Sequence, residues 1–164
     1  MSDKTYNVLF ICTGNSARSI MAESIMNYFG RGRFQAFSAG SHPVGEVNPF
    51  TLKALKRLKL PTDGYRSKNW DEFARPDAVP LDFVLTVCDN AAGEICPVWP
   101  GQPMSAHWGV ADPAAVLVDD DKKLKAFMDT ALILKRRIEL FLALPIATID
   151  KISLQKATRE IGLS

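Results

Sequence analysis

Apolar positions along the chain fall into two alternating rhythms. Val8-Leu9-Phe10-Ile11 is an unbroken apolar run, which predicts a strand buried on both faces and therefore parallel to its neighbours. After the polar turn Cys12-Thr13-Gly14-Asn15-Ser16, residues Ile20, Met21, Ser24, Ile25 and Tyr28 recur at helical spacing, and Gly30 ends that helix. Phe34 to Ala39 alternates as a second strand. Pro49 then opens a helix carrying Leu52, Leu55 and Leu58, which Pro61 stops. Phe83 to Val87 predicts a third strand and Met104 to Trp108 a short fourth; the prolines and glycine between Cys96 and Pro103 predict a loop. From about Asp121 to Leu144 a long helix places Leu124, Phe127, Ala131, Leu134, Ile138 and Phe141 on one stripe. Lys123, Lys125, Asp129, Lys135, Arg136 and Glu139 mark its wet positions. The last twenty residues predict a short helix ending near Gly162.

Strand and helix alternate without a break or repeat, so the expected fold class is α/β, a four-stranded parallel sheet with helices on both faces. A chain of 164 residues suits one domain, residues 1–164. Its 47% hydrophobic and 23% charged residues match globular proteins, which argues against disorder. A formal net charge of +2 gives no electrostatic case for nucleic acid or a membrane surface. Leu140 to Ile149 is uncharged but too short to span a bilayer and contains Pro145. The first seven residues lack a basic-then-apolar signal layout. Three cysteines form no secreted disulfide scaffold, so a reducing cytoplasm is the expected compartment.

Candidate chemistry concentrates in Val8 to Glu23. A strand feeding a short Gly-containing turn into a helix aims backbone N–H groups and the positive end of the helix dipole at one point, an anion site. Cys12 stands at the start of that turn and Arg18 six residues on. If the loop closes on itself, both reach one tetrahedral oxyanion, Arg18 gripping two oxygens through its planar fork. The same donors lower the thiol pKa and leave Cys12 a nucleophilic thiolate. Gly14 and Asn15 tolerate the left-handed backbone such a nest requires. A bare Cys-x5-Arg says little; the strand-turn-helix context carries the weight.

Cys12-Thr13-Gly14-Asn15-Ser16-Ala17-Arg18-Ser19 resembles the phosphate loop of the low-molecular-weight protein tyrosine phosphatases, in the form seen in their arsenate reductase branch. The resemblance implies that Thr13, Gly14, Asn15, Ser16, Ala17, Arg18 and Ser19 bind substrate. Asn15 would brace the loop and Ser19 would hydrogen-bond the Cys12 thiolate. Cys88 follows the third strand, at the edge where ligands of open α/β sheets collect, and Cys96 lies eight residues later. Read alone, these two could be inert core thiols, half of a zinc site with His107, or an exchange pair on a pliable segment. Thr86-Val87-Cys88-Asp89-Asn90 through Cys96-Pro97 resembles the redox segment of arsenate reductases, and so implies a thiol relay from Cys12 to Cys88 to Cys96. A further cysteine found in some relatives is Ala17 here, outside that relay. The residues from about 145 to 164 extend beyond the shortest family members as a tail.

His107-Trp108-Gly109-Val110-Ala111-Asp112-Pro113 resembles the family segment that carries the catalytic acid, which would be Asp112. Without the resemblance, Asp112 reads as the cap of the following turn. Ala114 and Ala115 stand where phosphatases of this fold place aromatic residues, which favours a small inorganic substrate. His42 and His107 read as loop and packing histidines, and Asp119-Asp120-Asp121 as a solvated helix start rather than a metal site. The expected activity is reduction of arsenate to arsenite, with Cys12, Arg18, Asp112, Cys88 and Cys96 catalytic. No bound cofactor is expected; an external dithiol, thioredoxin or glutathione with glutaredoxin, would act as transient partner. A phosphatase using Cys12, Arg18 and Asp112 and a non-catalytic thiol sensor are the alternatives.

Overall fold

The computed structural model describes residues 4–87 and 99–164, so Cys88, Cys96 and the segment between them lie outside the described residues. Strands β1 (Tyr6–Cys12), β2 (Phe34–Gly40), β3 (Phe83–Thr86) and β4 (Met104–His107) form a parallel sheet in the order β2-β1-β3-β4. Helices α1 (Arg18–Phe29), α2 (Pro49–Arg57), α3 (Asp120–Leu142) and α4 (Lys151–Ile161) follow the expected alternation. Each departs from its sequence pattern by a residue or two. β1 starts two residues before the apolar run because Tyr6 packs between Phe34 and Phe83, at ring separations of 5.5 and 6.1 Å.

β1 is central, which is why Val8, Leu9, Phe10 and Ile11 are all fully buried. In register with Tyr6 and Val8, Phe34 and Phe83 share one sheet face. There Phe141 of α3 lies 5.4 Å from Phe34, 5.0 Å from Phe83 and 5.7 Å from Trp108. Phe37, in register with Leu9, points to the other face and meets Phe73 of the short 3-10 helix Trp70–Phe73 at 5.6 Å. Both faces are thus covered, as a parallel sheet requires.

Helix starts obey their local chemistry. Asn48 caps α2 through the Phe50 N–H with Pro49 beside it, Asp119 caps α3 through the Lys122 N–H, and Asp150 caps α4 through the Ser153 N–H. The acidic triplet is therefore a helix cap with two carboxylates at the positive end of the α3 dipole. The tail packs against β4. Gln155 Nε2 donates to the Ser105 carbonyl, and the indole N–H of fully buried Trp108 donates to Thr158 O. Gly162 lies so close to β4 that a Cβ there would stand 2.2 Å from His107 O. Among the described residues no helix is long and apolar enough to cross a membrane.

Phe141 closes the aromatic cluster between α3 and the sheet. Phe141→Ala is expected to lower unfolding stability by about 3–5 kcal/mol in urea titration. Leu132→Ala, on the exposed side of the same helix, should change it by no more than about 0.5 kcal/mol.

Candidate active site

The turn between β1 and α1 is held by its carbonyls. Cys12 O accepts from Ser41 N at 3.3 Å and Thr13 O from His42 N at 2.9 Å. Gly14 O accepts from Val44 N at 3.0 Å and from Ser67 Oγ at 3.1 Å. Ser16 O accepts from Asn48 N at 3.0 Å and from Thr51 Oγ1 at 2.8 Å. In a trans peptide the N–H points opposite to the C=O, so drawing these oxygens outward turns the amides of Thr13, Gly14, Asn15 and Ala17 toward the inside of the loop. Asn15 takes the left-handed backbone, φ 47°, that this reversal needs. Gly40 makes the close approach possible: a Cβ there would lie 2.4 Å from Thr13 O. At Ala17 α1 begins without a side-chain cap and without an acidic residue in its first turn, so its positive end faces the loop.

Cys12 ends β1 with only 2% of its surface exposed. Its Sγ lies 2.9 Å from Ser19 Oγ and accepts from Asn15 N at 3.2 Å. Asn15 Nδ2 donates to Ser19 Oγ at 2.8 Å, while its Oδ1 accepts from Lys68 N at 2.9 Å. The Lys68 amide therefore sets which way the Asn15 side chain faces. With Asn15 donating to it, the Ser19 hydroxyl has its own proton to direct at the sulfur. Such donors favour the charged form of the thiol.

Arg18 opens α1, its side chain 12% exposed; its Nη1 donates to Val110 O at 3.0 Å and its Nη2 lies 3.8 Å from Asp112 Oδ2. Asp112 Oδ1 accepts from Ala114 N at 3.0 Å and caps the 3-10 helix Pro113–Ala115. Asp112 is thus a turn cap with one oxygen and faces Arg18 with the other. Of the sequence-derived positions, Cys12, Asn15 and Ser19 are joined by hydrogen bonds and Arg18 and Asp112 by an ion pair, while Thr13, Gly14, Ser16 and Ala17 complete the turn. His107 ends β4 with Nδ1 2.6 Å from Thr86 Oγ1, and His42 sits in the exposed loop after β2 beside Ser41.

Behind the loop, burial pushes the Glu23 carboxyl up, opposed by the Ser38 hydroxyl that donates to it and by the charge of Lys68. Burial also pushes the Lys68 ammonium down, against the pull of Glu23. Lys68 Nζ donates to Arg66 O, and Arg66 forms a two-point contact with Glu72 that lowers the Glu72 pKa. Sequence reasoning missed Gly40, Ser67, Lys68 and Thr51, the outer frame of the loop. The small residues Ser38-Ala39-Gly40-Ser41 at the end of the second strand were the one available signal. Among the described residues no cluster of three His, Cys, Asp or Glu could hold a metal ion.

Residues 7–153 match the family model of the low molecular weight phosphotyrosine protein phosphatases. The chain is 34% identical to an arsenate reductase of Halalkalibacterium halodurans over 134 residues, 82% of this chain and 93% of that one. To an arsenate reductase of Bacillus subtilis it is 33% identical over 120 residues, 73% of this chain and 83% of that one. Its fold is similar to that of an arsenate reductase solved in a phosphate-binding state, with a TM-score of 0.69 and 26% identity, covering 85% of this chain and 98% of that one. A strand-loop-helix nest around Cys12 and a match across nearly the whole sequence lead to one assignment: the chain belongs to the low molecular weight phosphotyrosine protein phosphatase family.

Proposed function

We propose that this protein is an arsenate reductase that works through a Cys12 thiolate and a Cys12–Cys88–Cys96 relay. The observation that carries the reading is the Cys12 sulfur in contact with the Asn15 amide and the Ser19 hydroxyl at the turn into α1, with Arg18, the first residue of that helix, beside Asp112. Its relatives named arsenate reductase support the substrate. So does the Ala114-Ala115 sequence after Asp112-Pro113, which offers no aromatic wall for a phosphotyrosine ring.

Arsenate enters the loop with its oxygens on the inward amides and the Arg18 guanidinium. Cys12 Sγ attacks arsenic, an S–As bond forms and an As–O bond breaks, and Asp112 donates a proton so that the oxygen leaves as water. The Cys88 thiolate then attacks Cys12 Sγ. The S–As electron pair passes to arsenic, which goes from As(V) to As(III) and leaves as arsenite, while a Cys12–Cys88 disulfide forms. Cys96 attacks Cys88, gives a Cys88–Cys96 disulfide and releases the Cys12 thiolate. Exchange between similar thiols is nearly balanced, so an external dithiol must drive turnover. Thioredoxin suits a Cys88–Cys96 disulfide; a solved neighbour from Corynebacterium glutamicum is described as thioredoxin-dependent. Glutaredoxin with glutathione is the competing reductant, and a reducing cytoplasm is the compartment that supplies either. Cys12, Arg18 and Asp112 alone suffice for side hydrolysis of aryl phosphates.

An arsenate-dependent NADPH oxidation assay, coupled in turn to thioredoxin and to glutaredoxin plus glutathione, tests the activity and names the reductant. Arsenite production should be abolished by Cys12→Ser. Cys88→Ser should stop repeated turnover yet leave aryl phosphate hydrolysis largely intact. Wild-type arsenite production by the Cys88→Ser variant would remove the relay.

The Asn15–Ser19–Cys12 chain makes a pH prediction. In Asn15→Asp the side chain can still accept from Lys68 N but no longer donates to Ser19, and a carboxylate stands near the sulfur. The thiolate loses stabilisation, so the acidic limb of kcat/KM against pH should move upward by about one unit. Ser19→Ala should move it in the same direction. An unmoved limb in both variants would disconnect these residues from the nucleophile.

A further inference from the structure

Arg137 sits on the apolar stripe of α3, three residues after Leu134 and four before Phe141, and is only 7% exposed. The sequence pattern passed it by, since the neighbouring Lys135 and Arg136 read as wet positions. Its Nη1 donates to Trp108 O at 2.9 Å and to Gly109 O at 3.1 Å, and its Nη2 to Ser164 O at 3.2 Å. Nε–H finds no acceptor among the described residues. A buried guanidinium whose Nη1 is answered by two neutral peptide carbonyls is a poor way to gain stability, because desolvating the charge is offset only weakly by such partners. Its arrangement is informative in another way. The carbonyls it grips belong to consecutive residues, and the next one, Val110 O, is held by Arg18. Two residues further on stands Asp112, whose Oδ2 faces the same Arg18.

Three carbonyls in a row are thus clamped by two guanidiniums, one from the long helix and one from the oxyanion loop. The clamp has a rigid backing. Trp108 is anchored through its indole N–H to Thr158, and Gly162 lies against His107 O and Trp108 Cδ1. The backbone amides of Trp108 and Val110 meanwhile bond to Thr86 O and Val87 O at the end of β3. Those amides fix one side of the Trp108–Val110 backbone; Arg137 fixes the Trp108 and Gly109 carbonyls on the other, and the chain leads on from there to Asp112.

We propose that Arg137 is a positioning residue for the reaction: by fixing the Trp108 and Gly109 carbonyls it places Val110 against Arg18 and Asp112 where it can protonate the departing oxygen. This rests on the reading of Asp112 as the acid under the proposed function. Arg137 itself touches neither substrate nor sulfur. Its loss would let the Trp108–Asp112 backbone relax away from Arg18, and a displacement of an ångström at a proton donor is enough to slow the step on the order of a hundredfold.

The test separates proton delivery from general damage by the leaving group. In the full chain, kcat/KM is measured for arsenate reduction and for two aryl phosphates. Phenyl phosphate needs its leaving oxygen protonated; 2,4-dinitrophenyl phosphate does not. Asp112→Asn is the reference and should depress arsenate and phenyl phosphate by on the order of a hundredfold while nearly sparing the dinitrophenyl ester. Arg137→Met should repeat that selectivity at roughly tenfold to a hundredfold. Arg137→Lys, with one ammonium for two carbonyls, should fall between, and Asp112→Asn combined with Arg137→Met should add no further selectivity. Urea midpoints show whether each variant is folded at the assay temperature; if Arg137→Met is not, the lysine variant carries the comparison. Equal losses on all three substrates, or no loss, would overturn the positioning role while leaving Asp112 as the acid. An Asp112→Asn protein without leaving-group selectivity would overturn the acid assignment and this proposal with it.

Discussion

The architecture turns on the outward pull exerted on the carbonyls of Cys12, Thr13, Gly14 and Ser16. A backbone that follows a strand into a helix has no intrinsic reason to gather its amides at one point. It does so here because four carbonyl oxygens are claimed from outside, by the backbone after β2, by the Ser67 hydroxyl and by the start of α2. Each bond is ordinary, and a typical intramolecular hydrogen bond contributes only about 1 kcal/mol net. Together they leave the N–H groups no direction but inward. The inward turn of these amides is therefore a property of the loop's neighbours as much as of the loop.

That constraint explains features that otherwise look unrelated. Gly40 is in register with Cys12, and any side chain there would collide with Thr13 O and open the nest from behind. Asn15 is buried with a left-handed backbone because the chain must reverse while its side chain bridges Lys68 N and Ser19 Oγ. Lys68, whose amide holds this bridge, and Glu23 are half-buried, and in each desolvation works against the charged form. On the other side of the site the same logic recurs with guanidiniums in place of amides. Arg18 and Arg137 take carbonyls from the segment that leads to Asp112, so an exposed carboxylate is delivered by a well-anchored backbone.

The sheet supplies the rigidity on which both depend. β1 and β3 are buried at nearly every position, with Phe141 of α3 packed on Phe83 on one face of the sheet and the Trp70–Phe73 3-10 helix meeting Phe37 of β2 on the other. Cys12 closes β1, and the amides of Trp108 and Val110, which follow β4, bond to Thr86 O and Val87 O at the end of β3. Cys12 and Asp112 therefore stand on loops that follow β1 and β4, on either side of β3, at the usual edge for ligand chemistry in an open α/β sheet.

Much of this was legible in the linear pattern. Short apolar runs bounded by turn residues mark buried parallel strands and longer stripes at helical spacing mark amphipathic helices, so the order of the four described strands and four α-helices follows from residues such as Val8 to Ile11 and Leu124 to Phe141, while the 3-10 helices Trp70–Phe73 and Pro113–Ala115 did not show in the pattern. Cys12, Arg18 and the intervening Gly14 and Asn15 were likewise visible, since a strand-turn-helix junction is a local feature. What the sequence could not show is which distant groups complete the site. Lys68 at Asn15, Gly40 at Thr13, and Arg137 at Trp108 and Gly109 meet across long stretches of chain, and each of those contacts involves a backbone atom that has no sequence signature. Local periodicity dictates where each element lies; only the packing of those elements decides which carbonyl meets which donor, because hydrogen-bond partners are chosen by proximity in the folded chain.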